Sequence, residues 1–196
     1  MIQSKKPHEN LPEKKLYGFK IAEHIIPENT TIGVISDTHI PTRAGHIPPI
    51  IFELFRDVSL IIHAGDLVDE KVYLELSTLA PVEAVAGNMD PLVFHKKAGE
   101  RKIIKAGNFL IGVMHGRGRV NDAAIRAYND FFRDTPPGLT VDLIVFGHTH
   151  FSVIEKHNNT LMFNPGSPIE PRGGANATCG LLKTEAGKIK AEIIKL

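Results

Sequence analysis

Side chains that bind divalent cations cluster at five places along the sequence, each at the end of a short apolar run. In chain order the clusters are Ser36-Asp37-Thr38-His39, Gly65-Asp66, Gly87-Asn88, His115-Gly116 and Gly147-His148-Thr149-His150. They offer imidazole nitrogens, carboxylates and one amide oxygen, and no thiolate. This mixture suits Mn, Fe, Zn, Ni or Co better than it suits a structural zinc site.

The number and spacing of these side chains predict a site for two ions. The candidate metal ligands are Asp37, His39, Asp66, Asn88, His115, His148 and His150. Seven ligands exceed the needs of one tetrahedral ion, so two ions that share a carboxylate are expected. In extended backbone, residues two apart point to the same side, so the pairs Asp37/His39 and His148/His150 could each hold an ion. Paired ions about 3.5 to 4 Å apart are a recurrent device for phosphoryl displacement.

The elements that must position these residues alternate between strand and helix. Buried strands are predicted at Thr31 to Ser36, Ser59 to His63, Val82 to Ala86, Leu110 to Met114 and Leu143 to Phe146. Helices are predicted at Pro48 to Phe55, Asp69 to Leu79 and Val120 to Phe132. The alternation favours an α/β fold, in which ligands bind outside the carboxyl ends of the strands. Glycine beside the polar residue in four of the five clusters permits close backbone approach.

The rest of the chain divides into an amino-terminal extension and a strand-rich carboxyl-terminal part. Residues 1–30 are interpreted as the extension, with an apolar segment from Leu16 to Ile26 that could pack on the body, and residues 31–196 as one domain. Antiparallel pairing through tight turns is expected among the later strands. These strands are Phe151 to Lys156, Thr160 to Phe163, Thr178 to Lys183 and Lys188 to Ile194.

Composition narrows the classes of function. The chain has 196 residues, 23 Lys plus Arg and 22 Asp plus Glu, so its formal charge of +1 argues against a broad basic face for nucleic acid. Cys179 is the single cysteine, so nothing points to an oxidising compartment. With no apolar run of about 20 residues and no signal peptide, a soluble cytoplasmic protein without a membrane span is expected.

The five clusters, in this order, resemble the calcineurin-like metallophosphoesterase family, and within it the small single-domain bacterial and archaeal phosphodiesterases. The resemblance runs from about Thr31 to the carboxyl terminus and includes the turn Asn164-Pro165-Gly166-Ser167. It implies an αββα sandwich, two mixed β-sheets flanked by helices. It also implies two divalent ions, with Mn²⁺ the first choice and Ni²⁺, Fe, Zn²⁺ or Co²⁺ as alternatives.

The resemblance assigns a role to each candidate ligand. Asp37, His39 and His150 resemble the ligands of a first ion, and Asn88, His115 and His148 those of a second. Asp66 would bridge the two. Asp66, Asn88 and His115 are the candidate catalytic residues. The implied reaction is hydrolysis of small phosphoesters through attack by a metal-bridging hydroxide.

One position departs from the family pattern. Many relatives have His directly after the Gly-Asn pair, where this chain has Met89 followed by Asp90. Methionine cannot transfer a proton, so the general acid is either Asp90, a metal-bound water or absent. This departure favours phosphodiesters over phosphomonoesters.

Two other functions are consistent with the same fold. One is a non-catalytic scaffold related to the retromer subunit, although that subunit lacks a ligand histidine and this chain has His115, His148 and His150. The other is a metal-dependent nuclease, which the balanced charge disfavours. The sequence does not indicate an oligomeric state.

A few further residues have both a structural and a functional reading. His63 is interpreted as a core histidine and Asp69 as a helix N-cap. Four arginines near the clusters could bind a substrate phosphate, but solvated side chains are the simpler reading for each. They are Arg43, Arg117, Arg119 and Arg172.

Overall fold

The computed structural model describes residues 19–27, 29–133, 135 and 138–196. Residues 16–18, which belong to the apolar segment expected to pack on the body, lie outside the described residues, as does most of the predicted extension. The strands are β1 Phe19–His24, β2 Thr31–Ile35, β3 Leu60–His63, β4 Val82–Ala84, β5 Arg101–Ala106, β6 Phe109–Met114, β7 Leu143–Val145, β8 Ser152–His157, β9 Thr160–Pro165, β10 Thr178–Glu185 and β11 Lys188–Lys195. The helices are α1 Pro49–Leu54, α2 Glu70–Ser77, α3 Leu92–Ala98 and α4 Ala123–Phe131.

The strands form two mixed sheets stacked face to face. One has the order β1-β5-β6-β7-β9-β8 and the other the order β11-β10-β2-β3-β4. Helices α1, α2 and α3 pack on the outer face of the five-stranded sheet, and α4 packs on the outer face of the six-stranded sheet. The predicted αββα sandwich is therefore confirmed.

Alternating side chains of the central strands build the layer between the sheets. Ile32 and Val34 of β2 point into this layer, together with Ile111 and Val113 of β6, and all four are fully buried. Ile35 belongs instead to the core between the sheet and its helices. Burying one such side chain stabilises the fold by roughly 1.5 to 3 kcal/mol. The alternation expected of a strand with two buried faces thus divides its side chains between the two cores.

The carboxyl ends of the parallel strands lie at one end of the sandwich. Strands β2, β3 and β4 run parallel in one sheet, and β6 and β7 run parallel in the other. Each of the five polar clusters follows one of these strands. The two sheets therefore deliver their polar turns to the same edge, as the sequence predicts.

Most predicted elements are present, but two were missed. Helix α3 and strand β5 have no counterpart in the sequence prediction. The strand was missed because its sequence, Arg-Lys-Ile-Ile-Lys-Ala, interrupts the apolar residues with charges. The hairpins β8–β9 and β10–β11 are antiparallel, as expected. Strand β1 lies inside the predicted extension and pairs in parallel with β5. No helix in the described part of the chain is both long and apolar enough to span a membrane.

Candidate metal centre

The turns that carry the candidate ligands have left-handed backbone. Five of the seven candidate ligands have φ between 46° and 70°: Asp37, His39, Asp66, His148 and His150. The expectation that Asp37/His39 and His148/His150 point together because their backbone is extended is therefore wrong. Non-glycine residues in this region each cost roughly 1 to 3 kcal/mol, and such strain concentrates at functional sites.

One group of three candidate ligands comes from both sheets. Suitable atoms of Asp37, His39 and His150 all lie within 4.8 Å of one another. The Nε2 atoms of the two histidines are 3.2 Å apart, and Asp37 Oδ1 is 3.5 Å from His150 Nε2. Two ligands bound to one ion at about 2.1 Å stand about 3 Å apart. The spacing therefore fits a shared cation.

A second group adjoins the first. Asp37, Asp66 and His115 also offer atoms within 4.8 Å of one another. Asp66 Oδ2 lies 3.1 Å from His115 Nε2 and 3.5 Å from His39 Nε2. Asp66 belongs to the second group alone, and its Oδ2 also approaches His39 of the first group. The residue common to both groups is Asp37, whereas the resemblance implies Asp66 as the bridging carboxylate.

The remaining two candidate ligands lie at the rim. Asn88 is exposed and His148 is half-buried, and Asn88 Oδ1 lies 3.0 Å from His148 Nδ1. The ring centroids of His148 and His115 are 5.2 Å apart. The structure therefore brings all seven predicted residues to one end of the sandwich.

Backbone carbonyls set the tautomers of three of the histidines. His115 Nδ1 lies 2.8 Å from the Ala64 carbonyl oxygen and His150 Nδ1 lies 2.5 Å from that of Glu170. His148 uses the other nitrogen, because its Nε2 lies 3.1 Å from the Gly118 carbonyl oxygen. A carbonyl only accepts, so the bonded nitrogen carries the hydrogen and in a neutral ring the other presents a lone pair.

The inward-facing nitrogen of His115 tests whether these residues fit a cation. This Nε2 atom is buried and makes no well-aligned hydrogen bond with the described residues, although Asp66 Oδ2 lies 3.1 Å away. A buried polar atom normally has a partner, and an unpaired one requires an explanation. A metal ion on the lone pair of His115 supplies that partner.

Hydrogen bonds from the surrounding protein hold each carboxylate and turn one of its oxygens toward the imidazoles. Asp37 Oδ2 accepts from Ser36 Oγ at 2.8 Å, and the His148 N–H lies 3.0 Å from Oδ2 and 3.2 Å from Oδ1. Asp66 Oδ1 accepts from the Met89 N–H at 2.7 Å. Asp37 Oδ1 and Asp66 Oδ2 therefore face the histidine nitrogens in a fixed orientation.

Burial and neighbouring charges shift the pKa values of the ionisable groups in the site. Burial raises the pKa of Asp37 to about 6. Burial works against a charge on His115, but the carboxylates of Asp66 and Asp37 outweigh it and raise the pKa of this ring to about 9. Burial lowers the pKa of His150 to about 4. Because a metal ligand must be deprotonated, cation binding at His115 would release a proton.

Three glycines leave room for the ligands. A Cβ atom at Gly87 would lie 2.2 Å from Asp66 Oδ1, and one at Gly65 would lie 2.7 Å from His115 Nδ1. At Gly147 it would lie 1.9 Å from Ser36 Oγ. The close backbone approach predicted for the glycines is therefore confirmed at these positions.

The carboxylate of Asp90 links two of the turns through hydrogen bonds and so acts as a brace between them. Its carboxylate accepts from the N–H groups of Val68 at 2.6 Å, Gly87 at 2.8 Å and Asp66 at 2.9 Å. Burial raises the pKa of Asp90, while these N–H groups lower it. Both oxygens are engaged with backbone, which argues against the suggested role as general acid. The role as a brace was missed, and spacing in the sequence gives no signal for it.

His63 and Asp69 have the structural roles predicted for them. His63 is fully buried, its Nδ1 accepts from the Gly65 N–H at 3.2 Å, and its Nε2 lies 3.1 Å from Thr38 Oγ1. Burial lowers the pKa of His63 to about 3, so the ring is neutral. Asp69 is the N-cap of α2 and accepts from the Lys71 N–H at 2.8 Å.

A pocket of about 250 Å³ opens over the candidate ligands. Met89, Arg43 and Arg172 line it together with several of the ligands. Arg43 pairs with Glu170 at 2.9 Å and Arg117 with Asp130 at 2.6 Å, whereas Arg172 has no ion-pair partner among the residues that the structure describes. Of these arginines, Arg172 is therefore the cation most available at the pocket.

Comparison with known proteins agrees with this geometry. Residues 31–187 match the calcineurin-like phosphoesterase superfamily domain. A probable metallophosphoesterase from Methanothermobacter thermautotrophicus is 40% identical over 164 residues, which cover 84% of this chain and 91% of that protein.

Solved structures share the fold. A structure described as a novel archaeal phosphodiesterase is 28% identical with a TM-score of 0.59, over 84% of this chain and 99% of the other. Vps29 from Entamoeba histolytica in complex with Zn²⁺ is 26% identical with a TM-score of 0.61, over 84% of this chain and 98% of the other.

Proposed function

The chain belongs to the calcineurin-like phosphoesterase superfamily, and from this membership we propose that it hydrolyses small phosphodiesters with two divalent metal ions. The observation that carries the proposal is the convergence of two adjoining ligand groups, Asp37/His39/His150 and Asp37/Asp66/His115, at one end of the sandwich. The buried Nε2 of His115, which makes no well-aligned hydrogen bond with the described residues, supports a bound cation there.

The proposed division of ligands is the one that the resemblance to the family implies. The first ion takes Asp37, His39 and His150, and the second takes Asn88, His115 and His148, with Asp66 between them. The 3.0 Å separation of Asn88 Oδ1 and His148 Nδ1 supports a shared ion at the rim. Mn²⁺ is the first choice of metal, with Ni²⁺, Fe, Zn²⁺ or Co²⁺ as alternatives. Bound in pairs, such ions supply an activated water as nucleophile and neutralise charge on the phosphoryl oxygens.

The chain's own residues shape the site for a substrate phosphate. Arg172 lines the pocket and has no ion-pair partner in the part of the chain that the structure describes, so it can attract and orient an anionic ester. The carbonyls bonded to His115, His148 and His150 hold these rings in the tautomers that ligation needs. The strained turns keep the carboxylate oxygens aimed at the same space.

Met89 supports a preference for diesters. Its side chain is 52% exposed and lines the pocket, where it can contact a leaving group but cannot donate a proton. Asp90 is engaged with three backbone N–H groups. Without a side-chain acid, whose contribution is typically about 10² to 10⁴ in rate, we expect activity mainly on esters with good leaving groups.

A scaffold without catalysis is the second candidate, since Vps29 shares the fold. The complete ligand set of this chain favours the hydrolase. A small substrate is favoured over nucleic acid because the formal charge is only +1.

The test is hydrolysis of bis-(p-nitrophenyl) phosphate by purified protein with Mn²⁺ or Ni²⁺, beside p-nitrophenyl phosphate as the monoester. We expect metal-dependent turnover of the diester that Asp66→Ala and His115→Ala abolish, while both variants stay folded by circular dichroism. Exposed Arg56 offers the matched control Arg56→Ala, which should keep full activity. Turnover that these two site variants leave unchanged would contradict the proposal, and faster turnover of the monoester would contradict the diester preference.

A further inference from the structure

The loop between β6 and α4 connects the metal centre to a helix. It begins directly after His115 and includes Gly116 and Gly118, which have φ of 90° and 85°. No regular backbone hydrogen-bond ladder holds residues 116–121, because they lie outside helices and strands. Hydrogen bonds from side chains can therefore help to define the shape of this loop.

Arg126 of α4 fills the inside of the loop. Its Nε donates to the Arg117 carbonyl at 2.9 Å, and its second terminal nitrogen donates to the carbonyls of Arg119 at 2.6 Å and Asn121 at 3.0 Å. A Cβ atom at Gly118 would lie 2.8 Å from Arg126 Nε, so the guanidinium lies directly against this glycine. A guanidinium has a fork of donors that an ammonium group lacks.

The same loop orients His148. The Gly118 carbonyl lies at the centre of the segment that Arg126 holds, and it accepts from His148 Nε2 at 3.1 Å. This bond places the hydrogen on Nε2 and leaves the lone pair of Nδ1 beside Asn88 Oδ1, 3.0 Å away. His148 thus depends on a carbonyl whose position depends on Arg126.

We propose that Arg126 is a positioning residue for the second metal ion, acting through the Gly118 carbonyl on the tautomer and orientation of His148. The inference rests on the proposed two-ion function. Among the described residues, Arg126 forms no hydrogen bond or ion pair with the ligands of the first ion, so its loss should weaken binding of the second ion alone. Loss of such an outer contact typically lowers metal affinity about 10- to 100-fold.

The experiment is calorimetric titration of Mn²⁺ into metal-free wild type, Arg126→Gln and Arg126→Lys, with Arg56→Gln as the control at an exposed arginine beyond α1. In wild type we expect two ions. In Arg126→Gln we expect the second ion to bind at least about tenfold more weakly, with the first unchanged within about threefold. Arg126→Lys should lie between, and Arg56→Gln should match wild type.

A spectroscopic measurement separates positioning from a general effect on stability. In ¹⁵N spectra of the metal-free protein, with His148→Gln used for assignment, His148 of wild type should carry its hydrogen on Nε2. Arg126→Gln should show a mixture of tautomers at His148 while His115 keeps its own. The proposal would be overturned if Arg126→Gln weakened the binding of both ions equally. It would also be overturned if both the affinity for the second ion and the tautomer of His148 were unchanged. A wild type that binds fewer than two ions would instead overturn the two-ion function on which it rests.

Discussion

At the scale of single residues, the candidate metal centre requires glycine at positions where a Cβ atom would collide with a ligand. Gly87 packs against Asp66. The backbone of Asp66 is held in place because its N–H donates to Asp90. Asp66 in turn bonds the Met89 N–H. A side chain at residue 87 therefore cannot fit unless Asp66 moves.

The substitution Gly87→Ala tests this packing. The new Cβ would lie 2.2 Å from Asp66 Oδ1, so we expect Asp66 to be displaced. Metal affinity and diester hydrolysis should both fall by about 10- to 100-fold, in line with disturbed outer contacts of other metal sites. Gly45→Ala is the matched control, because a Cβ there meets nothing within 4 Å. Wild-type metal binding in Gly87→Ala would show that the turn is not constrained in this way.

At the scale of elements, a largely buried ionic cluster connects the two sheets near one pair of their edges. Glu83 on β4 bonds Lys102 on β5 at 2.6 Å and His24 on β1 at 2.8 Å. The three side chains are at most 22% exposed. Because β4 belongs to one sheet and β1 and β5 to the other, this cluster ties the sandwich together on one side.

The substitution Glu83→Gln should destabilise the protein by about 1 to 3 kcal/mol at pH 7, since Lys102 loses its charged partner. Burial opposes the charge of Glu83, but Lys102 and His24 outweigh it and lower its pKa below the ordinary 4.5. A lowered pKa stabilises the folded state above the unfolded value, and this stabilisation is lost as pH falls through the folded value. Urea midpoints of variant and wild type should thus converge below about pH 4.5.

The exposed pair Lys183–Glu192 provides the control for this experiment. Its side chains are about half exposed, so Glu192→Gln should change stability by less than about 1 kcal/mol. A gap between Glu83→Gln and wild type that stays constant from pH 7 to pH 3 would contradict the role assigned to the buried cluster.

At the scale of the whole molecule, the metal centre links the two sheets at their carboxyl ends. Asp37 and Asp66 follow strands of the five-stranded sheet, whereas His115 and His150 follow strands of the six-stranded sheet. An ion that binds ligands from both sheets binds only the folded chain. Bound metal should therefore stabilise the entire fold.

Thermal unfolding measures this linkage. Mn²⁺ at about 100 times its dissociation constant should stabilise the folded state by about 2.7 kcal/mol per site, and EDTA should remove the effect. For a chain of this size the expected rise in Tm is roughly 5 to 10 °C for one site. Asp37→Asn, which alters the carboxylate shared by both groups, should lose most of the rise. An equal rise in that variant would place the stabilising ion elsewhere.

The sequence by itself determined the fold class and the neighbourhood of the site. Apolar strand runs that end in Gly-Asp, Gly-Asn or Gly-His turns predict both a layered sheet and convergence at its carboxyl ends, because strand direction and residue type are local properties. The resemblance of the five clusters to the family implies the αββα sandwich, and both the family and this fold are confirmed. The boundary at residue 31 remains a prediction.

The tertiary structure alone decided how the side chains are aimed. The turns at the site have left-handed backbone where extended backbone was expected. The carboxylate of Asp90 accepts hydrogen bonds from three backbone N–H groups. Strand β5 was missed because its buried Lys102 depends on Glu83, which is distant in the sequence. The carbonyls of Ala64, Gly118 and Glu170 orient three histidines, and every residue has a carbonyl. Only packing determines which carbonyl meets which ring, so no residue type in the sequence could reveal it.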